Sequence, residues 1–256
     1  MAALGMPGGL QKKVSNYKDG TMPVLEHLAE LRLRLFISAG ALLVAAIICF
    51  SNITLIRGIL TGPLDGLQLI FLSPPEAFMS NLRLSLISGL VLASPVIIYE
   101  VLAFIFPGLT KSEKIFFLLV LAGTLVLFGG GVLFAYYVVF PMALNFFLQY
   151  AADQLVPRFT VSEYISFVFS FHLGFGLVFQ LPLLSWALGK LGLLTSGFLK
   201  RNRKIALLVM LVLSAIITPP DIISQVAMAL PLLLLYEVGI IMVLISEKKR
   251  LKMMTQ

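Results

Sequence analysis

Two carboxylates stand out in this chain for the residues around them. Glu30 lies in HLAELRLRL, residues 27–35, beside Arg32 and Arg34. Glu113 lies in TKSEK, residues 110–114, between Lys111 and Lys114. Each has a plain structural role open to it. Glu30 stands four residues before Arg34, a helix spacing at which opposite charges pair for about 0.3–0.5 kcal/mol. Glu113 closes the pattern Thr110-Lys-Ser-Glu113, in which the hydroxyl accepts a backbone N–H at a helix start and the acid reaches back. The chemistry they share is capture of an arginine. A carboxylate takes the parallel N–H groups of a guanidinium fork, a geometry that lysine does not reproduce. On a face that is otherwise basic, such carboxylates are local docking points where a cationic peptide is repelled elsewhere.

A second set of polar residues lies inside apolar runs, where ionisable or strongly polar side chains are costly. Gln180 sits in FGLVFQLPLL, and His172, Gly176 and Gln180 follow the i, i+4, i+8 spacing of one helix face. Pro182 lacks an N–H and frees the carbonyl of Val178, so a polar, kinked patch is expected there. It serves either hydrogen bonding between helices or the docking of a partner. Glu237, in LLYEVGI, is either a buried acid bonded to a neighbouring helix or part of a functional polar face. Glu100 lies near the end of an apolar run, from which it can snorkel, and reads as structural.

The motifs of catalysis are missing. There is no phosphate-binding G-x-x-x-x-G-K-[ST], no H-E-x-x-H, no C-x-x-C and no G-x-S-x-G. The two histidines, His27 and His172, lie in different segments. The apolar runs hold no paired aspartates. An enzyme is not expected, nor a metal or other cofactor, and no inverted repeat of the kind used by secondary transporters is visible.

The elements that position these residues follow from composition. Of 256 residues, 59% are hydrophobic and only 12% charged, with a mean hydropathy of +1.02. One soluble core cannot hide that excess, so a bilayer must solvate it. Six apolar segments are readable, at about 33–53, 80–106, 115–149, 163–189, 205–217 and 222–245. Of the nineteen lysines and arginines, only Arg57, Arg83 and Arg158 fall in or beside the connections on one side. The rest cluster on the other, so the positive-inside rule puts both termini in the cytosol. The net charge of +7 is thereby explained by topology, and nucleic-acid binding is excluded. Residues 1–20 lack the apolar stretch of a cleaved signal peptide and read as a flexible cytosolic tail. Residues 21–247 read as the membrane domain and 248–256 as a basic cytosolic tail. Cys49, the single cysteine, has no partner for an internal disulfide.

Helix starts are marked by Ser73-Pro-Pro-Glu76, Thr110-Lys-Ser-Glu113, Thr160-Val-Ser-Glu163 and Thr218-Pro-Pro-Asp221. The third segment, roughly 50 Å long as a helix, must tilt, bend or protrude, with Gly129, Gly130, Gly131 and Pro141 as candidate bend points. The fifth has about 13 residues, roughly 20 Å, against a hydrocarbon core about 30 Å thick. Such a span thins the bilayer locally or is sheltered by its neighbours. That suits a device that lowers the barrier to a large cargo better than it suits a solute channel.

HLAELRLRL, FLSPPEAF, ASPVIIYEVLAFIFPGLTKSEK, FAYYVVFP, FGLVFQLPL and TPPDIISQ, in this order and spacing, resemble the TatC family, the multispanning core of the twin-arginine protein translocase. The resemblance runs from about Met22 to Glu247. It implies an all-α membrane protein with six transmembrane helices in a concave, glove-like bundle, the last two short. It implies recognition of signal peptides with two consecutive arginines, and action with small single-span partners to export folded proteins on the proton-motive force. On this likeness the signal-binding acids are Glu30 and Glu113, and Arg32, Phe104 and Pro107 shape their surroundings. Pro63 in the first external loop and Asp221 in the last match sensitive positions. Self-association and contact with membrane lipids are further implied. The family commonly has glutamate where this chain has Gln180, which cannot ionise. The rival reading is a proton-coupled small-solute transporter with Gln180, His172 and Glu237 along its path, and a third is a non-transporting membrane scaffold.

Overall fold

The computed structural model describes residues 24–64, 69–105, 111–151, 158–217 and 222–254. They are almost wholly helical. In chain order they form α1 (Val24–Ser51), α2 (Ile53–Thr61), a 3-10 turn (Gly62–Leu64), β1 (Leu69–Ile70), α3 (Pro74–Ile105) and α4 (Lys111–Phe134). A π-helical turn (Ala135–Val139), α5 (Phe140–Ala151), β2 (Phe159–Thr160), α6 (Val161–Val178) and α7 (Leu181–Leu191) follow. The last are α8 (Ser196–Arg201), α9 (Arg203–Ile217) and α10 (Ile222–Met254). Among the described residues, five stretches are long and apolar enough to cross a membrane: His27–Ser51, Pro74–Ile105, Ile115–Gln149, Val161–Leu191 and Met228–Lys249. The fifth predicted segment is α9, whose 15 residues span roughly 22 Å, still short of a hydrocarbon core.

The chain divides into two compact units, residues 1–52 with 85–122, and residues 53–84 with 123–256. In the first, α1 lies against the later part of α3. The contact is close because residue 89 is glycine: a Cβ there would sit 2.8 Å from Ala46 Cα. In the second, the core joins Ala135 and Val139 of the π turn to Phe171, Phe175 and Val178 of α6, Met210 of α9, and Met228 and Leu232 of α10. A neighbouring cluster unites Leu64, Phe140, Leu144, Tyr164 and Val168. Here β1 and β2 pair in parallel, Leu69 with Phe159 and Ile70 with Thr160, tying two connections together. Helix α10 packs along α7, where Gly189 meets Val243 and Gly239 meets Ser185.

Local sequence explains most helix limits, with corrections. Thr160 caps α6 by accepting the N–H of Glu163 at 3.2 Å, as its motif predicts. At α3 the acid of Ser73-Pro-Pro-Glu76 reaches one residue further, accepting the N–H of Leu72 at 2.7 Å. Thr110, Thr218 and Asp221 lie outside the described residues. A helix start absent from the sequence reading is α8, capped by Thr195 and held by Glu247 of α10, which accepts the Ser196 N–H at 2.9 Å. The first connection contains α2, where only a loop was expected.

The glycines of the third segment do not bend it. Helix α4 runs through Gly129, Gly130 and Gly131, and the irregularity falls at Ala135–Val139. The cause is Pro141: it has no N–H for the carbonyl four residues back, and an extra residue enters the turn before it. Gly131 is instead a contact point, since a Cβ there would lie 2.6 Å from the Phe175 carbonyl oxygen, whereas nothing lies within 4 Å of one at Gly129 or Gly130. We therefore expect Gly131→Ala to lower stability by about 1–3 kcal/mol through overpacking. Gly130→Ala should raise it by up to about 1 kcal/mol through helix propensity. Thermal unfolding of both variants in detergent checks the pair; equal shifts would refute the assignment of Gly131 as a contact.

Candidate functional site

The ion pairs of lowest exposure among the described residues lie in the first unit, between α1 and α3. Residues 27, 30 and 34 share one face of α1, and residues 100 and 104 share one face of α3. The two helices run antiparallel, with His27 against Phe104, Arg34 against Glu100 and Ala46 against Gly89. The absence of a side chain at Gly89 lets the backbones approach closely enough for these pairs to form.

Arg34 is held between two acids. Its Nε and Nη2 both donate to Glu30 Oε1, at 2.9 and 2.6 Å, and its Nη1 donates to Glu100 Oε2 at 2.8 Å. Glu30 is 4% exposed and Glu100 is 8% exposed. The second oxygen of Glu30, Oε2, is buried and has no hydrogen-bond partner among the described residues. His27 Nδ1 stands 3.8 Å from that oxygen, and the His27 ring stacks on Phe104 with centroids 4.3 Å apart and planes 9° from parallel. Leaving His27 aside, two carboxylates and one guanidinium sum to one negative charge. Buried charges persist when paired and hydrogen-bonded, so a buried carboxylate oxygen with no donor among the described residues keeps its acceptor capacity for a cation.

This geometry bears out the Glu30–Arg34 spacing but not its mildness: the pair is buried and shared, not a solvated helix surface. Glu100 keeps the structural role read for it, but the means is corrected. It does not snorkel from the end of its run but turns inward to Arg34. The available signal was an acid in the apolar run PVIIYEVLAFIF, facing the register of Arg34 on an antiparallel neighbour. Arg32 is exposed. Glu113 lies in the first turn of α4, with its side chain outside the described residues, as is Pro107.

The second unit carries the other polar candidates. His172 is buried, its Nδ1 is 2.6 Å from the Val168 carbonyl oxygen, and its ring borders Tyr136 and Phe140. The chain breaks between α6 and α7 at Phe179 and Gln180, just before Pro182, as the kinked-patch reading expects. Gln180 Nε2 donates to the carbonyls of Gly176 at 3.2 Å and Thr124 at 3.3 Å, while its Oε1 is buried without a partner among the described residues. Glu237 is not buried. It is half exposed and pairs with Arg203 of α9 at 2.8 Å. Helix α10 presents it outward, towards the start of α9, whose first residue supplies the guanidinium.

Pro63 sits in the 3-10 turn that ends α2. The carbonyls left over there, Ile59 and Leu60, accept the hydroxyls of Tyr136 at 2.7 Å and Tyr164 at 2.5 Å. Those tyrosines were missed by sequence reasoning, since a hydroxyl that caps a distant helix leaves no local signature. Asp221 lies outside the described residues.

Long apolar helices with a charged cluster buried between two of them define a multispanning helical membrane protein. The model of the Sec-independent protein translocase protein (TatC) family matches residues 26–231. The chain is 42% identical to the Sec-independent protein translocase protein TatC of Carboxydothermus hydrogenoformans over 226 residues, covering 87% of this chain and 93% of that one. It is 40% identical to the TatC of Aquifex aeolicus over 235 residues, covering 90% and 98%. Two crystal structures of the twin arginine translocase receptor TatC superpose with TM-scores of 0.75 and 0.77, at 38% and 41% identity. They cover 86% and 84% of this chain and 99% and 98% of theirs. This chain belongs to the TatC family. It is a membrane component of protein transport by twin-arginine translocation.

Removing Arg34 tests the cluster as structure. Arg34→Met leaves two buried carboxylates without a counter-charge and should cost about 3–5 kcal/mol. Arg203→Met, at a half-exposed pair, should cost no more than about 1 kcal/mol. Chemical or thermal unfolding in the same detergent compares them, and equal losses would contradict the geometry.

Proposed function

We propose that this chain is the core subunit that binds the twin-arginine signal peptide of folded cargo at the cytosolic face and organises single-span partners for export driven by the proton-motive force. The observation that carries this reading is the spare, buried oxygen of Glu30 in a cluster with one negative charge. It stands at the amino-terminal end of the first long apolar helix, on the side where nearly all lysines and arginines gather. An incoming arginine finds there a charge and a hydrogen-bond acceptor that the surrounding basic surface denies it. Glu113 supplies a second carboxylate from the start of α4, and Arg32, Phe104 and Pro107 shape the approach. The two similar crystal structures being of a receptor supports the same role.

In this reading the chain crosses the bacterial cytoplasmic membrane six times in a concave, glove-like bundle, with both termini cytosolic. Residues 1–20 and 248–256 are cytosolic tails on the membrane domain, residues 21–247. The brevity of α9 supports local thinning of the bilayer beside it. Gln180 offers its unpartnered Oε1 to a donor on a partner helix of the TatA or TatB type, a role that needs a hydrogen-bond acceptor and no ionisation. Pro63 and Asp221 act at the external loops. Copies of the chain associate with one another and with surrounding lipid. The transporter reading is less well supported, because His172, Gln180 and Glu237 each bond elsewhere and share no contact among the described residues.

Purified protein and a labelled signal peptide test the proposal. Glu30→Ala and Glu113→Ala should each weaken binding tenfold or more, about 1.4 kcal/mol. Replacing both peptide arginines by lysine should weaken it comparably, since the fork geometry is lost. Equal binding of both peptides, together with normal binding by both variants, would defeat the assignment. Solute uptake by vesicles holding this chain alone would favour the transporter instead.

A further inference from the structure

We infer that Arg34 is an exchangeable resident of the Glu30 site and that Glu100 is the seat to which it withdraws when a guest guanidinium arrives. This rests on the reading of Glu30 as a signal-peptide carboxylate and assigns a positioning role to a residue outside that set.

The argument starts from hydrogen-bond geometry. A guest guanidinium needs both oxygens of a carboxylate to form the bidentate fork. Glu30 offers only one, because Oε1 already takes two N–H groups from Arg34. The other, Oε2, is buried and has no donor among the described residues. A guest can therefore bind first at Oε2, but completing its fork requires Arg34 to release Oε1. Arg34 can do so without becoming an unpaired buried charge, since its Nη1 is already bonded to Glu100 at 2.8 Å. The free site thus holds a guanidinium in the position the guest must take, together with a second carboxylate that retains it afterwards.

Charge decides how much Glu100 matters. With Glu100 the cluster is at −1 and becomes neutral when a guest arginine enters. Without it the cluster starts neutral and becomes +1 on binding, with two guanidinium groups competing for one carboxylate in a partly buried place. His27 Nδ1 faces the same carboxylate at 3.8 Å. If Glu100 were only a packing contact between α1 and α3, its loss would lower stability and leave the affinity of the folded protein alone. If Arg34 were only a support for Glu30, removing it as well would weaken binding further.

The test measures the affinity of a labelled peptide with two consecutive arginines for the detergent-solubilised full chain, scoring only protein that melts cooperatively. Glu100→Gln should weaken binding at least tenfold. Adding Arg34→Gln to it should restore affinity to within threefold of the parent, because guest and carboxylate are then one to one. Should that double variant not fold, Arg34→Met with Glu100→Met replaces it, since an apolar pair of similar volume often substitutes for a buried ion pair. A loss smaller than fivefold for Glu100→Gln overturns the inference, as does a double variant that binds as weakly as Glu100→Gln. Glu30→Gln is the control. If it binds like the parent, the peptide site itself is misassigned; if it is weak while Glu100→Gln is normal, only the exchange is wrong.

Discussion

Every polar group on an apolar helix must find its partner within the protein, because hydrocarbon offers none. That constraint governs this structure wherever regular helix fails. Where α2 ends, the carbonyls of Ile59 and Leu60 take hydroxyls from Tyr136 and Tyr164. Where Pro182 interrupts the fourth long segment, the Gln180 amide bonds the Gly176 and Thr124 carbonyls. Where α8 begins, Glu247 receives the Ser196 N–H. These partners come from distant parts of the chain, so each repair also fastens one element to another. Irregular backbone and tertiary connection are two results of one requirement.

The charged cluster obeys the same rule at higher stakes. A guanidinium between two carboxylates is tolerable at low exposure only because three of its N–H groups are bonded to those acids. The arrangement depends on backbone approach as much as on charge. Gly89 permits α1 and α3 to touch about three turns away from Glu100, and this crossing brings the two carboxylates to one arginine. The buried oxygen left on Glu30 is one of four buried side-chain atoms among the described residues where the rule is not met, with those of Ser80, His172 and Gln180.

Much of the fold was legible from the sequence because its signals are local and additive. Hydropathy found the long spans, and the stops at Lys204 and Thr218 bracketed α9 to within two residues. The cap at Thr160 followed from four consecutive residues. What the sequence concealed was pairwise and distant. Three consecutive glycines look like a hinge until their neighbours are known, and then only Gly131 proves to face a backbone. Glu237 looks buried because its segment is apolar, but which side of α10 faces out depends on what α10 packs against. Glu100 looked peripheral for the same reason in reverse.

The candidate site shows how far each kind of signal reaches. The spacing of Glu30 and Arg34 is a property of one helix, and it survived in the structure. Whether that pair stands alone or joins a larger buried cluster is a property of two helices, and it turns on Glu100, sixty-six residues from Arg34. A lone i, i+4 pair neutralises itself and offers a guest nothing. Adding the second carboxylate changes the sign of the cluster and gives the resident arginine a second anchor. The charge of the cluster that HLAELRLRL joins is therefore set by one residue in another segment, and a motif read within a single helix locates the pair but not its surroundings.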